Sequence, residues 1–78
     1  MDKLKVLIVD DSLVYRNIIS KAVEKTDVAL VECTASSGVT ALERLEQRAI
    51  HVVLLDVFMP DMDGIENLIE IKRRYKDL

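Results

Sequence analysis

Two short aliphatic runs, each ending in acid, constrain this chain more than any other feature: Val6-Leu7-Ile8-Val9-Asp10-Asp11 and Val52-Val53-Leu54-Leu55-Asp56. Burying a carboxylate is costly, so a strand with an acid at its last position presents that acid at the strand's end. Between and after these runs the apolar residues recur every three or four positions, the spacing of amphipathic helices. The chain must therefore lay helices against a small sheet.

Taken in order, Leu4 to Val9 reads as a first strand, and Asp10-Asp11-Ser12 supplies helix-start chemistry. Val14 or Tyr15, Ile18, Ile19, Ala22 and Val23 predict a half-buried helix from Leu13 that fades near Lys25-Thr26-Asp27. Val28 to Thr34 reads as a second strand, placed at a sheet edge because Glu32 interrupts it. Ser36-Ser37-Gly38 makes a turn and cap, and Val39, Ala41, Leu42 and Leu45 form the apolar face of a second helix. Ile50 or His51 to Leu55 is a third strand, apolar at consecutive positions as if covered on both faces. After a loop containing Pro60, Asp63 can cap a third helix carrying Ile65, Leu68, Ile69, Ile71 and Tyr75.

The resulting β-α-β-α-β-α pattern, without repeats or linkers, predicts an α/β domain with a parallel sheet. Right-handed crossovers restrict its topology. The two acid-terminated strands make sense as neighbours, giving strand order 2-1-3 with helices on both faces. The first and third strands then flank a topological switch point, where such sheets bind ligands at their carboxyl ends.

The 78 residues suffice for one domain and carry a net charge of −3. No dense basic stripe appears, which argues against nucleic acid as a direct partner. The one basic cluster, Lys72-Arg73-Arg74 with Lys76, falls at a predicted helix C-terminus, where cations complement the dipole. Cys33 is the single cysteine, so neither an intrachain disulfide nor a multi-cysteine zinc site is available; it reads as a core or strand residue. Met1-Asp2-Lys3-Leu4-Lys5 is too short and polar for a signal peptide, and no apolar run approaches membrane-spanning length. A cytoplasmic setting away from membranes is expected.

Adjacent strand ends lie about 5 Å apart, so Asp10, Asp11 and Asp56 should crowd one site. Three carboxylates that close repel unless a cation joins them, and an oxygen-rich site with few protein ligands suits Mg²⁺. Such a site should take Mg²⁺ together with a phosphoryl group. One carboxylate can then act as nucleophile, since aspartyl-phosphate chemistry needs positioning and charge neutralisation more than a strong base. Plainer roles compete with this. Asp11 with Ser12 could only cap a helix; Asp61 and Asp63 fit turn and cap positions. His51 has no ligand-spaced companion and reads as structural, while Met59 and Met62 read as loop and packing residues.

Three motifs give these residues a family likeness. Val6-Leu7-Ile8-Val9-Asp10-Asp11-Ser12, Ala35-Ser36-Ser37-Gly38-Val39-Thr40-Ala41-Leu42 and Leu55-Asp56-Val57-Phe58-Met59-Pro60-Asp61-Met62-Asp63-Gly64 resemble, in order and spacing, the receiver domain of two-component response regulators. Within that family, Asp10-Asp11-Ser12 with Arg16 and the Asp-Val-x-Met-Pro-x-x-Asp-Gly loop are similar to the chemotaxis branch, particularly the receiver of the protein-glutamate methylesterase. The resemblance implies a flavodoxin-like fold, with Asp56 accepting a phosphoryl group from the phosphohistidine of a partner histidine kinase. It implies Asp10, Asp11, Asp56 and the backbone carbonyl of Phe58 as Mg²⁺ ligands, and an output domain or effector as a further partner. It also places Phe58 beside the attacking water's path, where its bulk should slow self-dephosphorylation.

A complete receiver continues through two more strands, which bring a Ser or Thr and a Lys to the phosphoryl oxygens. Residues 1–78 therefore read as the N-terminal part of one receiver domain, holding the metal and acceptor half of the site without the half that reads it. The third strand's edge should then be bare, and the chain should self-associate through that edge or fold only loosely. Competing functions fit less well. A metal-dependent phosphohydrolase with a strand-end Asp needs a second acid two residues on, where Phe58 stands; Gly38 and Gly64 are the only glycines, too few for a nucleotide-binding fingerprint. A non-signalling, associating receiver fragment is the remaining alternative.

Overall fold

The most continuously aliphatic run becomes the middle of the sheet. In the computed structural model, which describes residues 2–59 and 64–78, β1 (Leu4–Val9) pairs in parallel with β2 (Ala29–Ala35) on one side and β3 (Val52–Leu55) on the other. Helices α1 (Leu13–Glu24), α2 (Gly38–Gln47) and α3 (Gly64–Arg74) alternate with the strands. The strand order is β2-β1-β3, the order expected from the acid-terminated strands and the one that the resemblance implies for a flavodoxin-like fold.

Side-chain alternation along β1 divides the core into two layers. Leu7 and Val9 point into the larger one, with Ala35, Ala41, Leu42, Leu45, Met59 and Ile71 from β2, α2, the β3–α3 loop and α3. Val6 and Ile8 point the other way, meeting Ala29 and the half-buried Ile19 and Val23 of α1. Leu7 aligns with Val53 and Val9 with Leu55, so the β1–β3 register carries the two strands' acids to the same end of the sheet.

Local chemistry explains the boundaries. Ser12 caps α1 through its Oγ, which accepts from the Tyr15 amide at 3.3 Å, and Ser37 caps α2 by accepting from Thr40 N–H at 3.2 Å. Asp27 adopts a left-handed conformation (φ 62°) where α1 turns into β2, a role acidic and amide residues fill well. His51 opens β3 by accepting the Lys5 amide proton at Nδ1 (2.9 Å) while its own amide donates to Lys5 O (2.8 Å). The basic cluster also serves the helix end: Lys72 Nζ donates to the carbonyls of Lys76 (3.0 Å) and Leu78 (2.8 Å). Arg73 and Arg74 grip Glu70, whose carboxyl they hold below the usual range. Burial pushes the Cys33 thiol up, partly opposed by Arg48 and Arg44.

Expectations change on four elements. The half-buried face predicted for α1 is narrower: only Ile19 and Val23 pack inward, whereas Val14, Tyr15, Ile18 and Ala22 are exposed and no α1 residue is fully buried. Likewise β3 is only partly covered, with Leu54 exposed, because it forms an edge among the described strands. On α3, Gly64, Asn67 and Ile71 face inward while Ile65, Leu68 and Ile69 are exposed; on α2, Val39 is exposed too. Placed correctly was the sheet-edge position of β2, whose Glu32 pairs with Arg48 at 3.0 Å. The predicted cap by Asp63, and the readings of Asp61 and Met62, lie outside the described residues.

Leu7 is fully buried between β2, β3 and the α2–α3 layer, whereas Val14 is 66% exposed. Leu7→Ala is expected to cost about 2–5 kcal/mol, a large share of a small domain's stability. Val14→Ala should change stability by less than about 0.5 kcal/mol. Urea unfolding of both variants checks the contrast; equal midpoints would contradict the assigned core.

Candidate functional site

The carboxyl ends of β1 and β3 are joined through backbone. The Asp56 amide donates to Val9 O at 2.9 Å, and the Asp10 amide donates to Ala35 O at 3.0 Å, so all three strands contribute to one rim. On that rim Asp10, Asp11 and Asp56 each offer a carboxylate oxygen, and these oxygens lie within 4.8 Å of one another. The three acids singled out in the sequence are brought together.

Their environments differ. Asp10 is buried, at 8% exposure, Asp56 is half-buried and Asp11 is exposed. Asp10 Oδ1 accepts the Ser12 amide proton at 2.9 Å, closing a local turn, while Asp56 Oδ1 accepts from the Phe58 amide at 3.0 Å. Each carboxylate is thus aimed by an amide two residues later in its own loop, leaving its second oxygen for another partner. An all-carboxylate oxygen set at this spacing is the donor chemistry that a hard divalent cation takes. The set fits Mg²⁺.

Beside the acids runs a groove of about 580 Å³ lined by Val9, Asp10, Tyr15, Ile19, Leu54, Leu55 and Asp56. Its apolar walls come from α1 and the ends of β1 and β3; its polar end is the acidic rim. Phe58 stands out from the site with 86% of its surface exposed. Its backbone amide donates to Asp56 Oδ1 at 3.0 Å.

Two residues support the site through contacts that the sequence did not show: Gly64, quoted there only as part of a motif, and Asn67, which carried no functional signal. A Cβ built on Gly64 would lie 2.5 Å from the carbonyl oxygen of Asp56 and closer still to the Cα of Val57. The first turn of α3 therefore rests directly on the backbone that follows the acid, and the Gly64 amide donates to Val57 O at 3.2 Å. Asn67, fully buried one turn later, donates from Nδ2 to Gly38 O at 3.3 Å and ties α3 to the start of α2. The spacing of Gly64, Asn67 and Ile71 on one helical face was the available signal, but Asn67 reads as polar and so as outward-facing.

Comparison with known proteins agrees with this geometry. The family model of the response regulator receiver domain matches residues 6–78. A protein-glutamate methylesterase/protein-glutamine glutaminase of Treponema denticola is 45% identical over 74 residues, covering 95% of this chain and 20% of that protein. The crystal structure of the response regulator domain of Thermotoga maritima CheB superposes with a TM-score of 0.88 at 28% identity, over 95% of this chain and 55% of that one. The response regulator protein TrrA from the same organism, solved in complex with Mg(2+)-BeF, superposes with a TM-score of 0.87 at 28% identity, over 95% of this chain and 63% of that one. The chain thus spans a fifth of the methylesterase relative's length.

Because the contact at Gly64 is with backbone, no side-chain rearrangement can relieve it. Gly64→Ala is expected to force α3 away from the acid-bearing loop and to cost roughly 1–3 kcal/mol, as overpacking does. Thermal unfolding measures the loss. An unchanged melting temperature would show that the close approach is not a constraint.

Proposed function

This chain belongs to the response regulator receiver domain family, and we propose that it is a phosphoacceptor module in which Asp56 receives a phosphoryl group from a histidine kinase. The observation that carries the reading is the convergence of Asp10, Asp11 and Asp56 within 4.8 Å at the ends of two neighbouring strands. In the transfer, a carboxylate oxygen of Asp56 attacks the phosphorus of a phosphohistidine. An O–P bond forms as the P–N bond breaks, and the electron pair stays on the imidazole nitrogen, which takes a proton from solvent. Asp56 is suited to attack because its Oδ1 is held by the Phe58 amide, which fixes the carboxylate plane.

Asp10, Asp11, Asp56 and the backbone carbonyl of Phe58 would hold Mg²⁺. When bound, the ion offsets the charge of the carboxylates and of the incoming phosphoryl oxygens. The Mg(2+)-BeF complex of the similar TrrA protein supports this assignment. Residues 1–78 form the N-terminal part of a single receiver domain, a reading supported by their 55% coverage of the Thermotoga CheB receiver. The resemblance to methylesterases further suggests a chemotactic signalling role, an output domain or effector as partner, and a cytoplasmic setting; among the described residues no helix is long and apolar enough to cross a membrane.

A second reading, self-association, is favoured by one observation. Tyr15 of α1 and Leu54 of β3 are exposed along one groove beside β3, which is an edge among the described strands, and Leu13, Val14 and Ile18 of α1 are exposed too. Removing that apolar surface from water stabilises association at about 25 cal/mol per Å² before the entropy of docking is subtracted. Unpaired strand edges favour the same outcome.

Three measurements test these proposals. Titration with Mg²⁺ should show at least tenfold weaker binding by Asp11→Ala than by wild type; equal binding by both removes the metal assignment. Incubation with a small acyl phosphate and Mg²⁺ should add the mass of one phosphoryl group to wild type and none to Asp56→Asn. Labelling of both to the same extent would place the acceptor elsewhere. Sedimentation should show association that grows with protein concentration, whereas a compact, cooperatively folding monomer at all concentrations counts against the edge contact.

A further inference from the structure

Arg16 stands one turn into α1, outside the acidic cluster, yet it holds both ends of the segment that carries it. Its guanidinium Nη1 donates to the backbone carbonyl of Asp10 at 2.8 Å. Its own amide donates to the carbonyl of Ser12 at 2.9 Å. Asp11 lies between these two anchored carbonyls. Arg16 is itself secured, since Ser20 Oγ donates to its carbonyl at 2.7 Å and its side chain is half-buried.

The need for such an anchor follows from how the three acids are aimed. Asp10 is fixed by burial, by its amide bond to Ala35 O and by the Ser12 amide on its carboxylate. Asp56 is fixed by its amide bond to Val9 O and by the Phe58 amide. Asp11 is exposed, so no burial fixes its carboxylate, and the backbone behind it sets the direction in which its side chain leaves the chain. The Asp10–Asp11 peptide plane contains the carbonyl that Arg16 grips. Releasing that carbonyl would let the plane rotate and swing Asp11 away from its two companions.

We propose that Arg16 is a positioning residue for the metal site: its hydrogen bond to the Asp10 carbonyl sets the Asp10–Asp11 peptide and so aims the Asp11 carboxylate at the cation. The inference rests on the reading of Asp10, Asp11 and Asp56 as Mg²⁺ ligands, and it runs against the simplest electrostatic expectation. A guanidinium near three carboxylates lowers the local negative potential, so removing it should by charge alone tighten cation binding. Orientation predicts the reverse, because partners outside the ligand set that fix ligand geometry commonly alter metal affinity by about 10–100-fold.

The opposite signs make the test decisive. Arg16→Met keeps an apolar stem but no donor; Arg16→Lys keeps the charge and one donor able to reach a carbonyl. Mg²⁺ is titrated into the full 78-residue wild type and both variants, and amide hydrogen exchange is followed in the metal-free proteins. The expected result is roughly tenfold weaker Mg²⁺ binding by Arg16→Met, with Arg16→Lys recovering most of the loss. In the metal-free state the Ser12 amide of Arg16→Met should exchange several-fold faster while the amides of Val6 to Val9 keep their protection. Mg²⁺ binding by Arg16→Met equal to or tighter than wild type overturns the proposal. If wild type binds no Mg²⁺, the metal assignment fails by itself, and unchanged Ser12 exchange in Arg16→Met then overturns the positioning role independently.

Discussion

The hydrogen bond from the Asp56 amide to Val9 O, 2.9 Å long, is the contact on which the site depends. It is the last rung of the β1–β3 pairing, and it sets the end of one acid-bearing strand against the end of the other. Slipping this register by one residue would reverse which side chains face which core layer, sending Val53 and Leu55 to the side of α1. The packing of Leu7 and Val9 against α2 and α3 therefore protects the register, and the register in turn keeps the acids together. Core stability and site geometry are set by the same strand pair.

The two faces of the sheet are unequally covered. On the Leu7 and Val9 side, α2 and α3 converge, joined by Asn67 to Gly38 O and by the longer ion pair of Arg74 with Glu46 at 3.5 Å. That pair is surface-exposed and contributes at most about 1 kcal/mol; the buried amide and the apolar contacts outweigh it. On the other face α1 is the covering helix among the described residues, and it brings Ile19 and Val23 to the sheet. The acidic rim lies where this thinner layer meets the β3 edge, so the groove beside it is walled by Tyr15, Ile19 and Leu54 instead of being filled.

How much of this was legible varied with the kind of partner each residue meets. Aliphatic runs and acids at strand ends announce themselves because burial and desolvation penalise other residue types at those positions, and Asp10, Asp11 and Asp56 were found that way. Gly64 was visible as part of an Asp-Gly loop, but its contact with Asp56 O belongs to backbone from another element. Arg16 was visible as part of a motif, but its target is a carbonyl, which every residue possesses. Asn67 was hidden by its polarity, since a buried amide is recognisable only once its acceptor is in place. Expected helix faces failed for a related reason: apolar spacing shows that Tyr15 and Ile18 share a side of α1, not whether anything lies opposite them.

The sequence by itself determined the α/β class, the order of six elements, the pairing of β1 with β3 and the identity of the three acids. Each follows from local rules: period of apolar residues, cost of burying charge, and handedness of the crossovers. Only the tertiary structure decided which apolar residues are core and which remain exposed, how Asp10 and Asp56 are individually aimed, and that Arg16 reaches back to the Asp10 carbonyl. Those outcomes depend on contacts between groups distant in sequence or on backbone atoms common to all residues. Such contacts leave no signature in the residue types alone.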